Sequence, residues 1–475
     1  MNKLTSTLHH TLNSIFDNHG NIELIIAYSG GIDSQVLLHA LIQLKQKQLI
    51  TNTITVCHVN HGLSENAERW QDFAKNECAK YSVNLIVKCV NVQPKTQQSL
   101  EALARDARYD ALKSLKEEKC LVLTGHHSDD QSETFLLALK RGAGLKGLSA
   151  MSAQSPLGRH LLIRPLLNVS RREIEVYAKT HSLDWVEDES NVDTSFDRNF
   201  IRQQIMPLLR ERWPSINNTI NRSASHCLAG QELLDELAEQ DLVVCKTGGN
   251  SLDVATLKSL SEARFNNLIR FFMAQHNCLM PSTEQVSQVR FQLQASNDKT
   301  PQIKVGEHYF RRFKGTLYLT PEYSDISDWQ SSVELFHNAD ALKECSLILP
   351  DNLGKLLFSM RDFQTSAKTD TSVTTTNNNT ILTDSFSRIS LPKEGQQVSI
   401  RFNHDNPKCL PHFRQHSRSV KKVLQELVIA PWERKRIAFL YYDNELVAAI
   451  GHFVCKPFIA CDNQQSFNVL QNECR

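Results

Sequence analysis

Short apolar runs alternate with amphipathic stretches over the first 200 or so residues. Four runs are rich in apolar and β-branched residues, as buried strands are, and they lie at 22–28, 53–59, 84–90 and 120–124. Three stretches between them carry apolar residues at helical spacing, at 34–46, 65–81 and 99–117. Strands that alternate with crossover helices predict an α/β fold, with a parallel sheet covered on both faces. Because ligands of such sheets bind at the carboxyl ends of the strands, the loop after 22–28 is the first candidate site.

The pattern changes after about residue 207. Residues 215–294 show helical spacing, and a short strand candidate follows at 308–318. Residues 365–385 are polar and repetitive, which is typical of a flexible linker. Further strand-like runs then flank a helical stretch at 419–427. We therefore expect a catalytic domain, a mainly helical substrate-recognition domain, a partly disordered linker or insert and a small α+β domain, at 1–214, 215–320, 321–388 and 389–475.

Composition narrows the class of protein. With 41% hydrophobic and 22% charged residues, the chain has the balance of a soluble globular protein. No apolar run reaches the roughly 20 residues that a membrane span needs, and the N-terminal segment lacks the features of a signal peptide. We expect a cytoplasmic protein without a membrane partner. The 12 cysteines are scattered and none forms Cys-x-x-Cys, so neither a zinc site nor an iron–sulfur site is expected.

Charge is uneven although the net charge is only +1. Residues 135–172 include no acidic residue but contain Lys140, Arg141, Lys146, Arg159, Arg164, Arg171 and Arg172. A second basic stretch holds Lys408, Arg414, Arg418, Lys421, Lys422, Arg434, Lys435 and Arg436. Two basic stretches on a nearly neutral chain indicate a polyanion that is held at two places. Solvated protein surface is the alternative for either stretch alone.

The segment Ser29-Gly30-Gly31-Ile32-Asp33-Ser34 follows the first predicted strand and opens a helix. The two glycines allow phosphate oxygens to approach the backbone N–H groups, and both serines can donate hydroxyl hydrogen bonds. The helix N-terminus also favours an anion. No lysine stands where the phosphate loop of GTPases requires one. The segment therefore predicts a nucleotide-binding loop of another kind.

Acidic residues follow the fourth predicted strand. Asp130 and Glu133 share one face of the helix that begins there, and His126 and His127 precede them. Carboxylates beside a triphosphate can hold Mg²⁺, which prefers oxygen ligands. The alternative is that acids at a helix start only cap the helix and offset its dipole.

Basic side chains are predicted around the same site. Arg105 and Arg108 can neutralise phosphate charge or grip an RNA backbone, or they can pair as surface residues with Glu101 and Asp106. Arg198, Asn199 and Arg202 can bind RNA or cap the helix that they begin. For His126 and His127, a structural role in the loop competes with contact to a substrate.

The loop Ser29–Ser34 resembles the PP-loop of ATP pyrophosphatases, which cleave ATP between the α and β phosphates. Further segments resemble the lysidine synthetase family in particular, and they are 58–63, 101–109, 125–134, 187–191, 197–202, 207–209 and, at the C-terminus, 421–427 with 431–432. The N-terminal segments together cover most of 22–210. The resemblance implies a PP-loop catalytic domain at 1–214 and a tRNA-binding domain at 389–475.

The resemblance implies a ligase reaction that uses ATP and Mg²⁺. O2 of the wobble cytidine in a tRNA(Ile) with a CAU anticodon attacks the α-phosphate, and pyrophosphate leaves. The ε-amine of free L-lysine then attacks C2 and expels AMP, which changes codon reading from AUG to AUA. The resemblance assigns phosphate binding to Ser29, Gly30, Gly31, Ile32, Asp33 and Ser34, and catalysis to Asp33, Arg105 and Asp130. It assigns Mg²⁺ binding to Asp130 and Glu133. It assigns substrate binding to His61, Arg108, His127, Glu133, Arg198, Asn199, Arg202, Lys421 and Lys422.

Three other readings compete with this one. A PP-loop tRNA thiolase needs a persulfide cysteine or a cluster, and no paired cysteines lie near the loop. A small-molecule amidating synthetase accounts less well for the basic stretches and the helical appendage. A non-catalytic RNA-binding protein does not require Asp33, Asp130 and Glu133. The sequence leaves an oligomer possible.

Overall fold

The computed structural model describes residues 2–93, 100–294, 301–333, 345–359, 388–461 and 464–472. The chain forms two compact units, Met1–Gln240 and Asp241–Arg475. Among the described helices, none combines the length and the apolar composition that a membrane span requires.

The described part of the first unit is built on a six-stranded sheet with the order β3-β2-β1-β4-β6-β5. Its strands are β1 Leu24–Ala27, β2 Ile54–Asn60, β3 Asn84–Cys89, β4 Leu121–Leu123, β5 Gln154–Leu157 and β6 His160–Ile163. All pairings are parallel except the β5–β6 hairpin. The predicted α/β fold with a parallel sheet is confirmed. The antiparallel edge strand β5 was not predicted.

Helices cover both faces of this sheet. They are α1 Lys3–His19, α2 Ile32–Gln46, α3 Ala67–Lys80, α4 Leu100–Lys113, α5 Ser128–Lys140, α6 Leu145–Leu148, α7 Arg171–Thr180, α8 Asp197–Phe200 and α9 Met206–Arg212. A π-helical turn, Ile201–Ile205, joins α8 to α9. The sequence analysis did not predict α1, although Leu4, Leu8 and Leu12 form a buried stripe on it. Burying each such side chain contributes about 1.5–3 kcal/mol, which fixes this helix on the core.

The order of the strands places the site. The chain passes from β1 to β2 and β3 on one side of the sheet, then returns to β4 on the other side of β1. The loops after β1 and β4 therefore diverge at a topological switch point, where open α/β sheets bind ligands. Leu24, Ile25 and Ile26 of β1 are fully buried, so this central strand is a rigid base for its loop.

The second unit is richer in strands than the sequence analysis predicted for 215–320. The long helix α10 Ile216–Cys245 spans the division between the units, and α11 Val254–Ser259, α12 Glu262–Gln275 and α13 Thr283–Leu293 follow. They accompany a five-stranded antiparallel sheet in the order β7-β8-β11-β10-β9. Its strands are β7 Lys246–Gly248, β8 Ser251–Asp253, β9 Gln302–Val305, β10 His308–Phe313 and β11 Thr316–Pro321. The single strand predicted at 308–318 is thus a hairpin.

The C-terminal part is α+β, as predicted, with short helices α14 Val420–Glu426 and α15 Pro431–Arg434. Its strands are β12 Gln330–Ser332, β13 Cys345–Ile348, β14 Lys355–Ser359, β15 Ile389–Ser390, β16 Val398–Arg401, β17 Lys408–Cys409, β18 Arg418–Ser419, β19 Phe439–Tyr442, β20 Glu445–Ala449, β21 Phe453–Val454 and β22 Ser466–Asn472.

The segment 321–388, expected as a linker or insert, contributes strands where it is described. β12 pairs with β16 and β14 pairs with β22, so both belong to the C-terminal sheets. Leu356 and Phe358 of β14 are fully buried, and this apolar contact explains why the segment packs instead of linking. The polar stretch 365–385 lies outside the described residues.

Candidate active site

The predicted nucleotide loop leaves β1 and enters α2 at the switch point. Ser34 Oγ donates to the Gly31 carbonyl over 2.9 Å and lies 3.3 Å from Ser29 Oγ. Gly30 has φ +84°, and a Cβ there would lie 2.8 Å from a methyl carbon of Val186. The loop thus needs glycine at position 30 for both conformation and space. Its hydroxyl groups converge beside the N-terminus of α2, an arrangement that suits a bound phosphate.

Gly125, which follows β4, touches the start of α2. A Cβ on Gly125 would lie 2.9 Å from the carbonyl carbon and 3.0 Å from the carbonyl oxygen of Asp33. These are backbone atoms, so they cannot turn aside as a side chain can. The contact fixes the separation between the loop after β1 and the loop after β4.

Replacing Gly125 by alanine is therefore expected to push the two loops apart. Overpacking of this kind costs about 1–3 kcal/mol of unfolding free energy, and ATP affinity should fall with it because the phosphate loop moves. Chemical denaturation and ATP titration measure the two effects. The matched control is Gly249→Ala, because a Cβ at Gly249 meets nothing within 4 Å. Unchanged stability and ATP affinity in Gly125→Ala would contradict the prediction.

Asp33 lies in the first turn of α2 and faces the loop after β4. Arg171 Nη1 donates to both carboxylate oxygens over 2.9 Å. His127 Nε2 lies 3.6 Å from Asp33 Oδ1. Burial raises the pKa of Asp33, although His127 and Arg171 act in the opposite direction. Asp33 is thus a partly buried carboxylate with more affinity for a proton than an ordinary aspartate has.

His127 caps the N-terminus of α5 and is buried. Its Nδ1 accepts a hydrogen bond from the Asp129 N–H over 3.2 Å, and its backbone N–H donates to Asp130 Oδ2 over 3.0 Å. The other ring nitrogen, Nε2, faces the site. Nε2 lies 3.5 Å from Asp130 Oδ2 and 3.6 Å from Asp33 Oδ1, so His127 stands between the two carboxylates.

Two arginines from the α8–α9 segment hold the acids of α5. Arg198 Nε donates to Glu133 Oε2 over 2.9 Å, and Arg202 Nε donates to Glu133 Oε1 over 2.7 Å. Both guanidinium groups also reach Asp130 Oδ1 over 3.2 Å. The acid–arginine cluster, Asp130, Glu133, Arg198 and Arg202, is thus a network of charge-assisted hydrogen bonds.

Charged neighbours decide the ionisation of Asp130. Burial alone acts to raise its pKa, but His127 and Arg198 outweigh that effect, and the pKa falls to about 2. His126 behaves differently, since burial lowers its pKa to about 3. His126 Nδ1 lies 2.8 Å from the Thr124 hydroxyl. Near neutral pH the site therefore holds an ionised Asp130 beside a neutral His126.

His61 and Arg108 meet at the edge of the site beyond β2. Arg108 Nη2 lies 3.2 Å from His61 Nε2. Burial and the charge of Arg108 lower the pKa of His61 to about 4. Arg105, one turn away, stacks on the ring of Tyr109 with its guanidinium carbon 5.1 Å from the ring centroid. None of the ion pairs among the described residues joins Asp106 to either arginine, and the side chain of Glu101 lies outside the described residues.

The remaining predicted residues take other positions. Asn199 is buried and donates to the carbonyl of Asp193 over 2.9 Å, so in this structure its amide serves the local chain. Lys421 and Lys422 are exposed on α14 in the second unit. Several other members of the C-terminal basic stretch are engaged within their own unit. Arg414 and Arg418 pair with Glu426, and Arg436 pairs with Asp351.

Sequence reasoning did not identify Arg171 and Arg210 as site residues. Arg171 binds Asp33, and Arg210 pairs with Asp129, which itself accepts the Arg171 N–H over 2.9 Å. One signal was available for Arg171. It occupies the first position of α7, where the helix dipole disfavours a cation, so a compensating acid was to be expected there.

The predicted magnesium ligands are Asp130 and Glu133, and their fit to that role depends on which carboxylate oxygens already accept hydrogen bonds. Within the described ranges no group of three or more His, Cys, Asp or Glu residues is arranged to hold a metal ion. Both oxygens of Glu133 already accept hydrogen bonds from Arg198 and Arg202, so this carboxylate does not fit the predicted metal role. Asp130 fits better, because Mg²⁺ in nucleotide sites commonly takes one or two carboxylates together with phosphate oxygens.

Comparison with known proteins covers nearly the whole chain. The PP-loop domain family matches residues 4–209, the TilS substrate binding domain matches 252–318 and the TilS substrate C-terminal domain matches 398–470. The chain is 40% identical over 94% of its length to a tRNA(Ile)-lysidine synthase of Serratia proteamaculans, and the match covers 94% of that protein. The corresponding protein of Pectobacterium atrosepticum is 38% identical, with 94% of each chain covered. The chain belongs to the tRNA(Ile)-lysidine synthase family.

Membership in the tRNA(Ile)-lysidine synthase family confirms the predicted resemblance. The protein is a ligase with a PP-loop ATP-binding domain and a tRNA substrate, and the thiolase alternative is not favoured. Among solved structures, a U34-tRNA thiolase from Methanococcus maripaludis matches at a TM-score of 0.40 and 18% identity, over 48% of this chain and 79% of that one.

Proposed function

We propose that this member of the lysidine synthase family joins lysine to C2 of the wobble cytidine in CAU-anticodon tRNA(Ile), through an adenylated cytidine. The observation that carries the proposal is the convergence of the phosphate loop, Asp33 and the acid–arginine cluster at the β1–β4 switch point. Asp33 and Asp130 both lie close to one ring nitrogen, His127 Nε2, at 3.6 and 3.5 Å. Phosphate-binding and amine-binding groups therefore share one site.

In the first step, cytidine O2 attacks the α-phosphate and pyrophosphate leaves. The Ser29–Ser34 loop holds the phosphates through backbone N–H groups and the two hydroxyls. Arg171, fixed on Asp33 at 2.9 Å, stabilises the negative charge that develops on the leaving pyrophosphate. The cytidine must leave the anticodon stack to reach this site, and a single-stranded loop makes that step inexpensive.

Mg²⁺ would supply charge neutralisation at the phosphates when it is bound. Asp130 is the carboxylate that fits this role, because its low pKa of about 2 keeps it ionised and its oxygens are not both bridged by guanidinium groups. Glu133 instead positions Arg198 and Arg202, which replaces its predicted role as a metal ligand.

In the second step, the ε-amine of lysine attacks C2 and AMP leaves. An ammonium group must first lose a proton, and burial makes Asp33 the more basic of the two facing carboxylates because its pKa is raised while that of Asp130 is lowered. Two carboxylates with opposite pKa shifts are suited to two different roles, as in other enzymes that pair an acid with a base. Asp33 accepts the proton of the lysine ε-ammonium group, and the negative charge of Asp130 attracts that group.

The test is incorporation of labelled lysine into a CAU-anticodon tRNA(Ile) transcript, with ATP and Mg²⁺. We expect incorporation that requires ATP and that is absent with tRNA(Met). Release of pyrophosphate on tRNA without incorporation of lysine would show that the amine substrate is wrong. If the protein neither releases pyrophosphate nor incorporates lysine, the proposed function is wrong.

The exposed lysines of α14 provide a separate test of tRNA binding. Reversing the charge of Lys421 and Lys422 to glutamate is expected to weaken tRNA binding about tenfold or more at low salt, because phosphate contacts become repulsions. ATP affinity should not change. The control is Lys258→Glu, an exposed lysine on the helix α11. Equal tRNA affinity in the double variant and the control would remove α14 from the binding surface.

A further inference from the structure

A cleft lies between α4 and the β5–β6 hairpin, outside the groups assigned to phosphate, metal and amine. It is an open surface cleft of about 500 Å³. Basic, aromatic and apolar side chains share its lining, which includes Arg105, Tyr109, Lys113, Pro156, Leu162 and Arg164. Such a mixture suits a ligand that has both a charged part and a flat apolar part.

The charge in the cleft is incompletely balanced. Arg164 is only 8% exposed, and its Nη1 donates to the Ser152 carbonyl over 2.7 Å and to the Ser155 hydroxyl over 3.2 Å. Its Nε is buried without a hydrogen-bond partner, and none of the ion pairs among the described residues includes Arg164. A buried cation without a counter-ion is costly, so its environment calls for an anion.

The other charged groups leave that requirement in place. Lys113 and Asp110 neutralise each other over 2.8 Å, and Asp106 is the remaining acid in the lining. Two positive charges, those of Arg105 and Arg164, oppose the charge of Asp106. The lining, with three basic and two acidic side chains, therefore has a net charge of +1. An anion with one charge, such as a phosphodiester, matches this balance.

Tyr109 offers the flat surface. It is half-buried, its hydroxyl accepts from Arg105 Nη2 over 3.3 Å, and the guanidinium of Arg105 lies over its ring at 5.1 Å. Tyrosine rings and guanidinium planes are the groups on which proteins stack unpaired RNA bases.

The cleft is next to the reaction site. The Thr124 N–H, at the end of β4, donates to the Ile163 carbonyl of β6 over 3.0 Å. Arg164 follows Ile163, so it lies beside the loop after β4 that leads to Asp130. An RNA chain that brings one nucleotide to Asp130 can therefore place the neighbouring nucleotide in the cleft.

We propose that the cleft binds a nucleotide adjacent to the modified cytidine, with its phosphodiester on Arg164 and Arg105 and its base on Tyr109. This inference rests on the proposed function, since it requires the anticodon loop at the site. The cleft thereby holds the RNA strand in register and helps to extrude the cytidine into the reaction site.

The test combines variants with altered RNA. In Tyr109→Ala the KM for tRNA is expected to rise about tenfold, the effect of losing one base–aromatic stack, while the KM for ATP stays unchanged. Tyr109→Phe should restore tRNA binding, because the ring is retained. Arg164→Met should raise the KM for tRNA as well, and Arg159→Met, an exposed arginine of the same hairpin turn, should not.

Abasic tRNA transcripts identify the bound nucleotide. With wild-type protein, the KM for tRNA should rise about tenfold when the base on one side of the cytidine is removed. With Tyr109→Ala, removing that same base should raise the KM no further. Penalties that add fully at both flanking positions would overturn the subsite, as would an unchanged KM in Tyr109→Ala. An effect that acted only through Arg105 would persist on the abasic transcripts. If wild-type protein consumes no ATP on intact tRNA, the proposed function itself fails, whatever the variants do.

Discussion

Asp33→Ala is expected to lower lysine incorporation and tRNA-dependent pyrophosphate release by about 10³-fold or more, the upper part of the range for losing a preorganised charged group. The carboxylate lies at the start of α2, receives two hydrogen bonds from Arg171 and faces His127. Removing it leaves the Arg171 guanidinium free to turn away from the phosphates. It also removes the base assigned to the amine. Single-turnover assays of both half-reactions measure the loss.

Asp33→Asn separates charge from shape. The amide keeps the size of the side chain and one acceptor for Arg171, but it cannot take a proton, so lysine transfer should fall further than pyrophosphate release does. Asp17→Ala, an exposed aspartate on α1, is the matched control and should retain full activity. If Asp33→Ala keeps more than a tenth of wild-type activity, the assignment of Asp33 is wrong.

Glu133→Ala is expected to have the largest effect on stability. Glu133 is 2% exposed, and its carboxylate receives hydrogen bonds from both Arg198 and Arg202. Breaking a buried ion pair by removing one partner costs about 3–5 kcal/mol, and the low end applies because Arg202 is partly exposed. The free energy of unfolding should thus fall by about 3 kcal/mol in denaturant titrations.

Activity should fall in the same variant, because Arg198 and Arg202 no longer hold Asp130 in place. Glu133→Gln retains the shape and one acceptor oxygen, so we expect it to lose less stability than Glu133→Ala. Glu187→Ala, at an exposed position outside the acid–arginine cluster, is the control. A decrease of less than about 1 kcal/mol in Glu133→Ala would show that the cluster behaves as a surface salt bridge.

Much of the first unit could be predicted from local pattern. The predicted strand at 53–59 is Ile54–Asn60 in the structure, and the predicted helix at 34–46 is Ile32–Gln46. These elements can be predicted from the sequence because their apolar residues repeat with the period of a strand or a helix. Helix α1 has the same kind of repeat, at Leu4, Leu8 and Leu12, but it was not predicted. The strands within 321–388 were missed because they are short and find their partners far along the chain.

Several residues that the sequence analysis placed in the candidate site lie close together in the structure, whereas most of their contacts were not predicted. Asp33, His127, Asp130, Glu133, Arg198 and Arg202 are brought together at the switch point. Their roles remain proposals. Glu133 was expected to hold a metal, and its oxygens are instead engaged by arginines. Arg171 was counted only as part of a basic stretch, and it is the partner of Asp33.

The sequence by itself determined the phosphate loop and the family, because both depend on residues that are adjacent in the chain. A strand, a glycine turn and a helix start form the loop within a few residues, whatever surrounds them. Only the tertiary structure decided which charges meet. Asp33 and Arg171 are 138 positions apart, and Glu133 is 65 and 69 positions from its two arginines. Such pairs depend on strand order, which places β4 beside β1, and on the desolvation of each charge, and neither has a local signature in sequence.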